Sequence, residues 1–106
     1  MTDMYSLIEN LNESIPEIPA DSIVSRTIYQ DENAKVILFG FAAGQELSEH
    51  TASKPAILHF LEGDVDLTLG EDIYHVQTGA WVHMHPNLPH SVVAKTQVTM
   101  LLMLLQ

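Results

Sequence analysis

The chemistry open to this chain of 106 residues rests on its imidazoles. Six histidines are present, His50, His59, His75, His83, His85 and His90, and cysteine is absent. Thiol nucleophiles, disulfides and Cys-based zinc sites are therefore excluded. A metal would have to rely on His and carboxylate, or more weakly on Met. An imidazole can ligate, act as a base or switch charge near neutrality. Most histidines in folded proteins are solvated or hydrogen-bonded, so spacing has to select among the six. In Trp81-Val82-His83-Met84-His85 the residues alternate, which puts Trp81, His83 and His85 on one strand face and Val82 and Met84 on the other. His75 lies in the polar hairpin arm Asp72-Ile73-Tyr74-His75-Val76-Gln77 and reads as solvated. Met84, Met100 and Met103 read as core fillers. No nucleophile elbow, P-loop or dinucleotide fingerprint occurs.

The elements that must position these residues are mainly strands. Residues 23–29 are rich in β-branched side chains, Asp31-Glu32-Asn33 forms a polar turn, and residues 35–41 make a second, mostly apolar strand. Gly44, Gly63, Gly70 and Gly79 then punctuate short segments in the rhythm of a sandwich or barrel. In Asp64-Val65-Asp66-Leu67-Thr68-Leu69 the apolar residues share one face and the polar ones the other. Ala56, Leu58 and Phe60 form an inward set, which turns His59 outward. The last strand, residues 98–105, is apolar on both faces, which calls for cover from the leader or from another subunit. Ahead of the strands, Thr2 or Asp3 can cap a short helix over residues 4–11, with Leu7, Ile8 and Leu11 at helical spacing and Glu9 and Glu13 on a solvated face. Pro16 and Pro19 end it. With no helical pattern after Pro19, βαβ architectures are disfavoured.

Length predicts a single domain over residues 1–106, with a leader over 1–20 and a β-barrel over 22–106. The formal net charge is −10, from 14 acidic and 4 basic residues. Such a surface repels phosphate backbones and anionic lipid, so nucleic acid and membrane are not expected partners. The N-terminus lacks the basic and apolar regions of a signal peptide, and no apolar run is long enough to span a bilayer, so a cytoplasmic protein is expected.

Two segments carry a family resemblance. Gly44, His50 and Gly63 fall where the first cupin motif has Gly, the first His of His-x-His, and the closing Gly. Ala52 stands at the second His position and Ala56 at the Glu position. Residues 79–94 resemble the second motif, with Gly79 and His90 in place. The Pro position holds His85 with Pro86 one residue later, the Gly position holds Asn87, and the Asn position holds Ala94. Asn tolerates the left-handed backbone that this turn Gly supplies. The resemblance covers residues 44–63 and 79–94, and it implies an all-β double-stranded β-helix, or jelly-roll barrel, with a short N-terminal helix.

The resemblance also implies a lumen to which the family's metal ligands, three His and one Glu, point. Only His50 and His90 remain here, with His85 or Glu46 as replacement candidates. By simple alternation Glu46 and Ser48 share a face with His50, whereas His85 would need a local distortion to turn inward. Three functions stay open. The first is a small-molecule-binding barrel, with ligand contacts from His50, Leu58, Phe60, Met84 and His90 and further apolar lining from Val82 and Val92. The second is a metal-dependent enzyme, dioxygenase- or isomerase-like, binding Fe, Mn, Ni or Zn through His50, His90 and a replacement ligand. The third is metal-free proton transfer by one imidazole. His59, His83 and Trp81 on one outer face suggest a homodimer interface, which protonation of adjacent imidazoles near pH ~6 would weaken.

Overall fold

The computed structural model describes residues 4–15 and 17–106. Among them nine strands form two antiparallel sheets: β1 (Ile23–Gln30), β2 (Ala34–Phe41), β3 (Glu46–His50), β4 (Ala56–Glu62), β5 (Val65–Leu69), β6 (Asp72–Val76), β7 (Trp81–Met84), β8 (His90–Ala94) and β9 (Val98–Leu105). One sheet runs β1-β2-β9-β4-β7 and the other β3-β8-β5-β6. The all-β, jelly-roll class expected from the sequence is the observed one.

Alternation closes the barrel. Ala56, Leu58 and Phe60 of β4, Val98 and Met100 of β9, and Met84 of β7 point inward from the larger sheet. Val65, Leu67, Val92 and Ala94 meet them from the smaller one. Each large apolar side chain so buried contributes about 1.5–3 kcal/mol relative to exposure. Turns hold the strands in register. Gly63, between β4 and β5, has φ +105°, and a Cβ there would stand 2.4 Å from the Gln97 carbonyl oxygen, so glycine is required.

The helix expected over residues 4–11 does not form. Residues 4–10 are irregular, and a short 3-10 turn occupies Leu11–Ser14 instead. Asn10 caps it, its side-chain oxygen accepting from the Asn12 amide at 3.0 Å. The expected caps, Thr2 and Asp3, lie outside the described residues. An eight-residue segment pays the full helix-nucleation cost and needs its apolar face packed to hold, and Met4, Tyr5 and Leu7 are exposed. The leader does meet the barrel further on. The Arg26 guanidinium donates to the Ser14 carbonyl at 3.5 Å, and Ile18 lies over Gly40 on the outer face of β2. Leu38, on the same outer face, is fully buried.

On that face β4 pairs with β7 as expected, with His59 opposite Trp81 and His83 opposite Ile57. The two imidazoles are thus diagonal cross-strand neighbours beside Trp81. His83 meets His85, ring centroids 5.3 Å apart and edge to face. No helix among the described residues is long and apolar enough to cross a membrane.

Candidate functional site

β3 and β8 bring two of the six histidines together. His50 and His90 are opposite one another in the antiparallel register, with ring centroids 4.2 Å apart and planes inclined at 57°. His90 is buried at 6% exposure, on the inner face with Val92, while His50 lies at the exposed end of β3. Each Nδ1 lies 2.8 Å from the backbone carbonyl oxygen two residues earlier, Ser48 for His50 and Leu88 for His90. A carbonyl can only accept, so Nδ1 carries the proton in each ring and the neutral Nε2 lone pair is left free. Burial pushes the His90 pKa below its ordinary value. The bond to the Leu88 carbonyl opposes this shift, and the neighbouring His50 adds to it.

Backbone geometry explains why these two meet. Asn87, at the glycine position of the second motif, has φ +68°, the left-handed conformation that Asn accepts more readily than most residues. Its amide donates to the Ala52 carbonyl at 2.7 Å, tying the loop before β8 to the loop after β3. Gly70 donates to the Pro89 carbonyl at 2.8 Å and fixes the other side of the same loop.

Neither replacement ligand joins the pair. The β3–β8 register passes from Leu47 opposite Val92 to His50 opposite His90, so β3 carries one extra residue between them. This bulge reverses parity, putting Leu47 rather than Ser48 on the inner face with His50. Glu46 then pairs with Val93 and is exposed on the outside. His85 is exposed and sits with His83. Ala56, at the Glu position of the motif, is buried in the core. Among the described residues no three His, Asp or Glu side chains converge on a point that could hold a metal. Two imidazole nitrogens are half a typical divalent site, and the residues present do not fit the three-His, one-Glu set.

A cavity of about 310 Å³ opens at the opposite edge of the four-stranded sheet, between β6 and β7. β4 and β7 contribute Phe60, Trp81 and Val82, with Ala80 just before β7, and β5 and β6 contribute Leu67, Leu69, Tyr74 and Val76. The Tyr74 hydroxyl and the Trp81 indole N–H are the only polar side-chain groups of this lining. At 48% and 58% exposure, Tyr74 and Trp81 mark its mouth. Leu69 also stands opposite His90 in the β5–β8 register, so the cavity wall backs onto the strand of the buried imidazole.

Of the ligand contacts expected from the sequence, Phe60 lines this cavity, as does Val82. Leu58, Met84 and Val92 are buried core residues outside its lining. Tyr74 and Val76 were hidden in an arm that reads as polar, although their i, i+2 spacing placed both on one face. On the outer face of β5 and β6, His75 is solvated as expected and bonded through Nδ1 to the Asp66 carboxylate. That bond holds the Asp66 carboxyl below the usual range, against a smaller opposing effect of desolvation, and Lys95 lies 3.6 Å from the other carboxylate oxygen.

No family model matches the sequence, and no curated protein matches it significantly. Solved structures do. A cupin superfamily protein from Desulfitobacterium hafniense superposes with TM-score 0.84 at 20% identity, over 99% of this chain and 94% of that chain. A cupin 2 conserved barrel domain protein from Leptotrichia buccalis gives TM-score 0.83 at 26% identity, over 92% of this chain and 47% of that chain. Salicylate 1,2-dioxygenase from Pseudoaminobacter salicylatoxidans gives TM-score 0.73 at 14% identity, over 89% of this chain and 30% of that chain. Enzymes thus share this fold with proteins of other or unknown activity, and the fold selects none of them. With the inward alternation, the two paired motif histidines and these superpositions in agreement, the chain has the fold of a small cupin-type domain.

Proposed function

We propose that the protein binds a small, uncharged and largely apolar molecule inside the barrel and needs no tightly held metal to do so. The cavity between β6 and β7 carries this reading: about 310 Å³, within the usual size of ligand sites, with an apolar and aromatic lining. A charged ligand group would lose its hydration there with no opposite charge in the lining to replace it. The Tyr74 hydroxyl and the Trp81 N–H supply the few directional contacts that orientation requires.

The second reading, a metal-dependent enzyme using Fe, Mn, Ni or Zn, is favoured by one observation. His50 and His90 face each other with both Nε2 lone pairs free. Such an enzyme would need its remaining donors from substrate and water. The third reading, proton transfer by an imidazole, finds no carboxylate to orient the base, since each Nδ1 is engaged by a backbone carbonyl.

Metal analysis of untagged protein, combined with a thermal-shift screen of neutral aromatic compounds, separates the readings. The binding reading expects no stoichiometric metal, stabilisation by a hit of about 2.7 kcal/mol at a hundredfold excess over Kd, and loss of that stabilisation in Tyr74→Ala. Stoichiometric metal that disappears in a His50→Ala, His90→Ala double variant would overturn it in favour of the enzyme.

A further inference from the structure

We infer that His83 and His85, on the outside of the barrel, form a two-imidazole chelate that takes a borderline divalent metal ion from solution, copper(II) more tightly than zinc(II). Strand alternation builds this site. The two histidines flank Met84, which is buried at 2% exposure, so both imidazoles leave the barrel on the opposite side of the chain. Residues two apart along a strand are spaced by about 6.5 Å. The two rings lean closer than this, to 5.3 Å between centroids with planes at 89°.

That separation is the one a shared metal requires. A metal about 2.1 Å from a ligating nitrogen stands about 3.2 Å from the ring centroid. Two imidazoles sharing it at square or tetrahedral angles therefore have centroids about 4.5–5.2 Å apart. The observed pair lies at the tetrahedral end, within a small side-chain rotation of either geometry. Both rings are also unengaged. Among the described residues, His50, His75 and His90 each commit Nδ1 to an oxygen, whereas His83 and His85 have no such partner.

The donor set selects the ion. Across the five strands of this sheet the only carboxylate is Glu62, five residues along β4 from Ile57, the register partner of His83. Calcium and magnesium take oxygen ligands and gain little from two nitrogens. Imidazole suits copper and zinc, and at a given nitrogen site copper(II) binds more tightly than zinc(II). The formal net charge of −10 draws cations to the surface.

Among the described residues no third His, Asp or Glu converges with the pair, so water completes the coordination. Both histidines are exposed, which lets water in; His90, buried at 6% exposure, denies it to the pair in the smaller sheet. With two protein ligands the ion exchanges freely with the medium. It is therefore loaded by added metal and is not a tightly held cofactor. Trp81, the chain's single tryptophan, shares the face of His83 two residues away and reports on the site.

Titration of the untagged full chain with copper(II), read by Trp81 emission, tests the proposal. Saturable quenching is expected, and excess zinc(II), which has no partly filled d shell to quench an indole, should displace the copper and restore the emission. His83→Gln and His85→Gln should each raise the copper dissociation constant by about tenfold or more. Both side chains are exposed, so the barrel stays intact and misfolding cannot mimic the loss. His75→Gln, a change at another exposed imidazole, should titrate as the wild type does. Absence of saturable quenching overturns the proposal. So does quenching that survives in the His83→Gln, His85→Gln double variant, or that is lost only in the His50→Ala, His90→Ala double variant.

Discussion

The five-stranded and four-stranded sheets present inward sets of the same kind, Phe60 and Met100 on one side and Leu67 and Val92 on the other, and carry opposite outer faces. The larger sheet holds one acidic residue in its five strands, and the outside of its central strand β9, with Val36 and Ile57 beside it, is apolar and half-buried. The smaller sheet turns Glu46 and Asp66 to solvent, with Asp66 bonded to His75 and close to Lys95. Strand alternation alone would build this barrel from either kind of strand. What distinguishes the sheets is what their backs are free to do, and only the smaller one has the charge that keeps a surface in water. The two candidate sites lie at the two edges of the smaller sheet, the imidazole pair at β3–β8 and the cavity at β6.

The inward equivalence is broken most severely by Phe60→Ala. Phe60 is fully buried and belongs to both the core and the cavity wall. Truncation should cost about 3–5 kcal/mol in denaturant unfolding, the usual range for a buried aromatic. A loss below about 1 kcal/mol would mean that the cavity side of the barrel is not part of the core.

Much of this was readable in the residues, and the failures share a physical cause. The inward sets of β4, β5 and β7 follow from period-2 alternation, and Gly63 from a turn that leaves no room for a Cβ. The meeting of His50 with His90 followed from motif spacing. The extra residue in β3 did not, because a bulge leaves the local pattern of residue types unchanged while reversing every side chain beyond it. Simple alternation therefore puts Glu46 on the face of His50, whereas the bulge leaves it outside. The His59–Trp81 pairing depends on the register of two strands far apart in sequence, and alternation within each strand is silent on that register. The leader's helical spacing was present in Leu7, Ile8 and Leu11, but periodicity without a packed face does not make a helix.

A smaller effect tests the loop that brings the two imidazoles together. Asn87 adopts φ +68° and its amide bonds to Ala52. Asn87→Gly keeps both and should be nearly neutral, whereas Asn87→Ala should cost about 1 kcal/mol for the left-handed backbone alone. Thermal melts of the two variants side by side check this. Equal costs would place the importance of Asn87 in its side chain rather than in its φ.

Acidification separates the buried imidazole from the exposed ones. Burial holds the His90 pKa below its ordinary value of 6.5, and His50 lowers it further against the Leu88 bond. The unfolded chain therefore binds a proton at His90 before the folded chain does. Stability from this group is intact above pH 6.5 and is lost as pH falls below it toward the folded value. Denaturation midpoints measured from pH 7.5 to pH 5.5 should fall in the wild type, with a shallower fall in His90→Gln. Parallel slopes in the two proteins would assign the acid sensitivity elsewhere.

The gentlest perturbation falls on the acidic outer face of the smaller sheet. Lys95 lies 3.6 Å from Asp66 and is more than half exposed, and the Asp66 carboxylate keeps its bond to His75 whether or not Lys95 is present. Water screens such a pair, and ordering a lysine side chain offsets most of the attraction. Lys95→Ala should leave the unfolding midpoint unchanged within measurement at moderate salt. A clear loss of stability that vanishes at high salt would show that the lysine offsets repulsion among the carboxylates of this face. The acidic sheet would then depend on its few cations, and the contrast with the nearly acid-free sheet would extend from surface chemistry to folding.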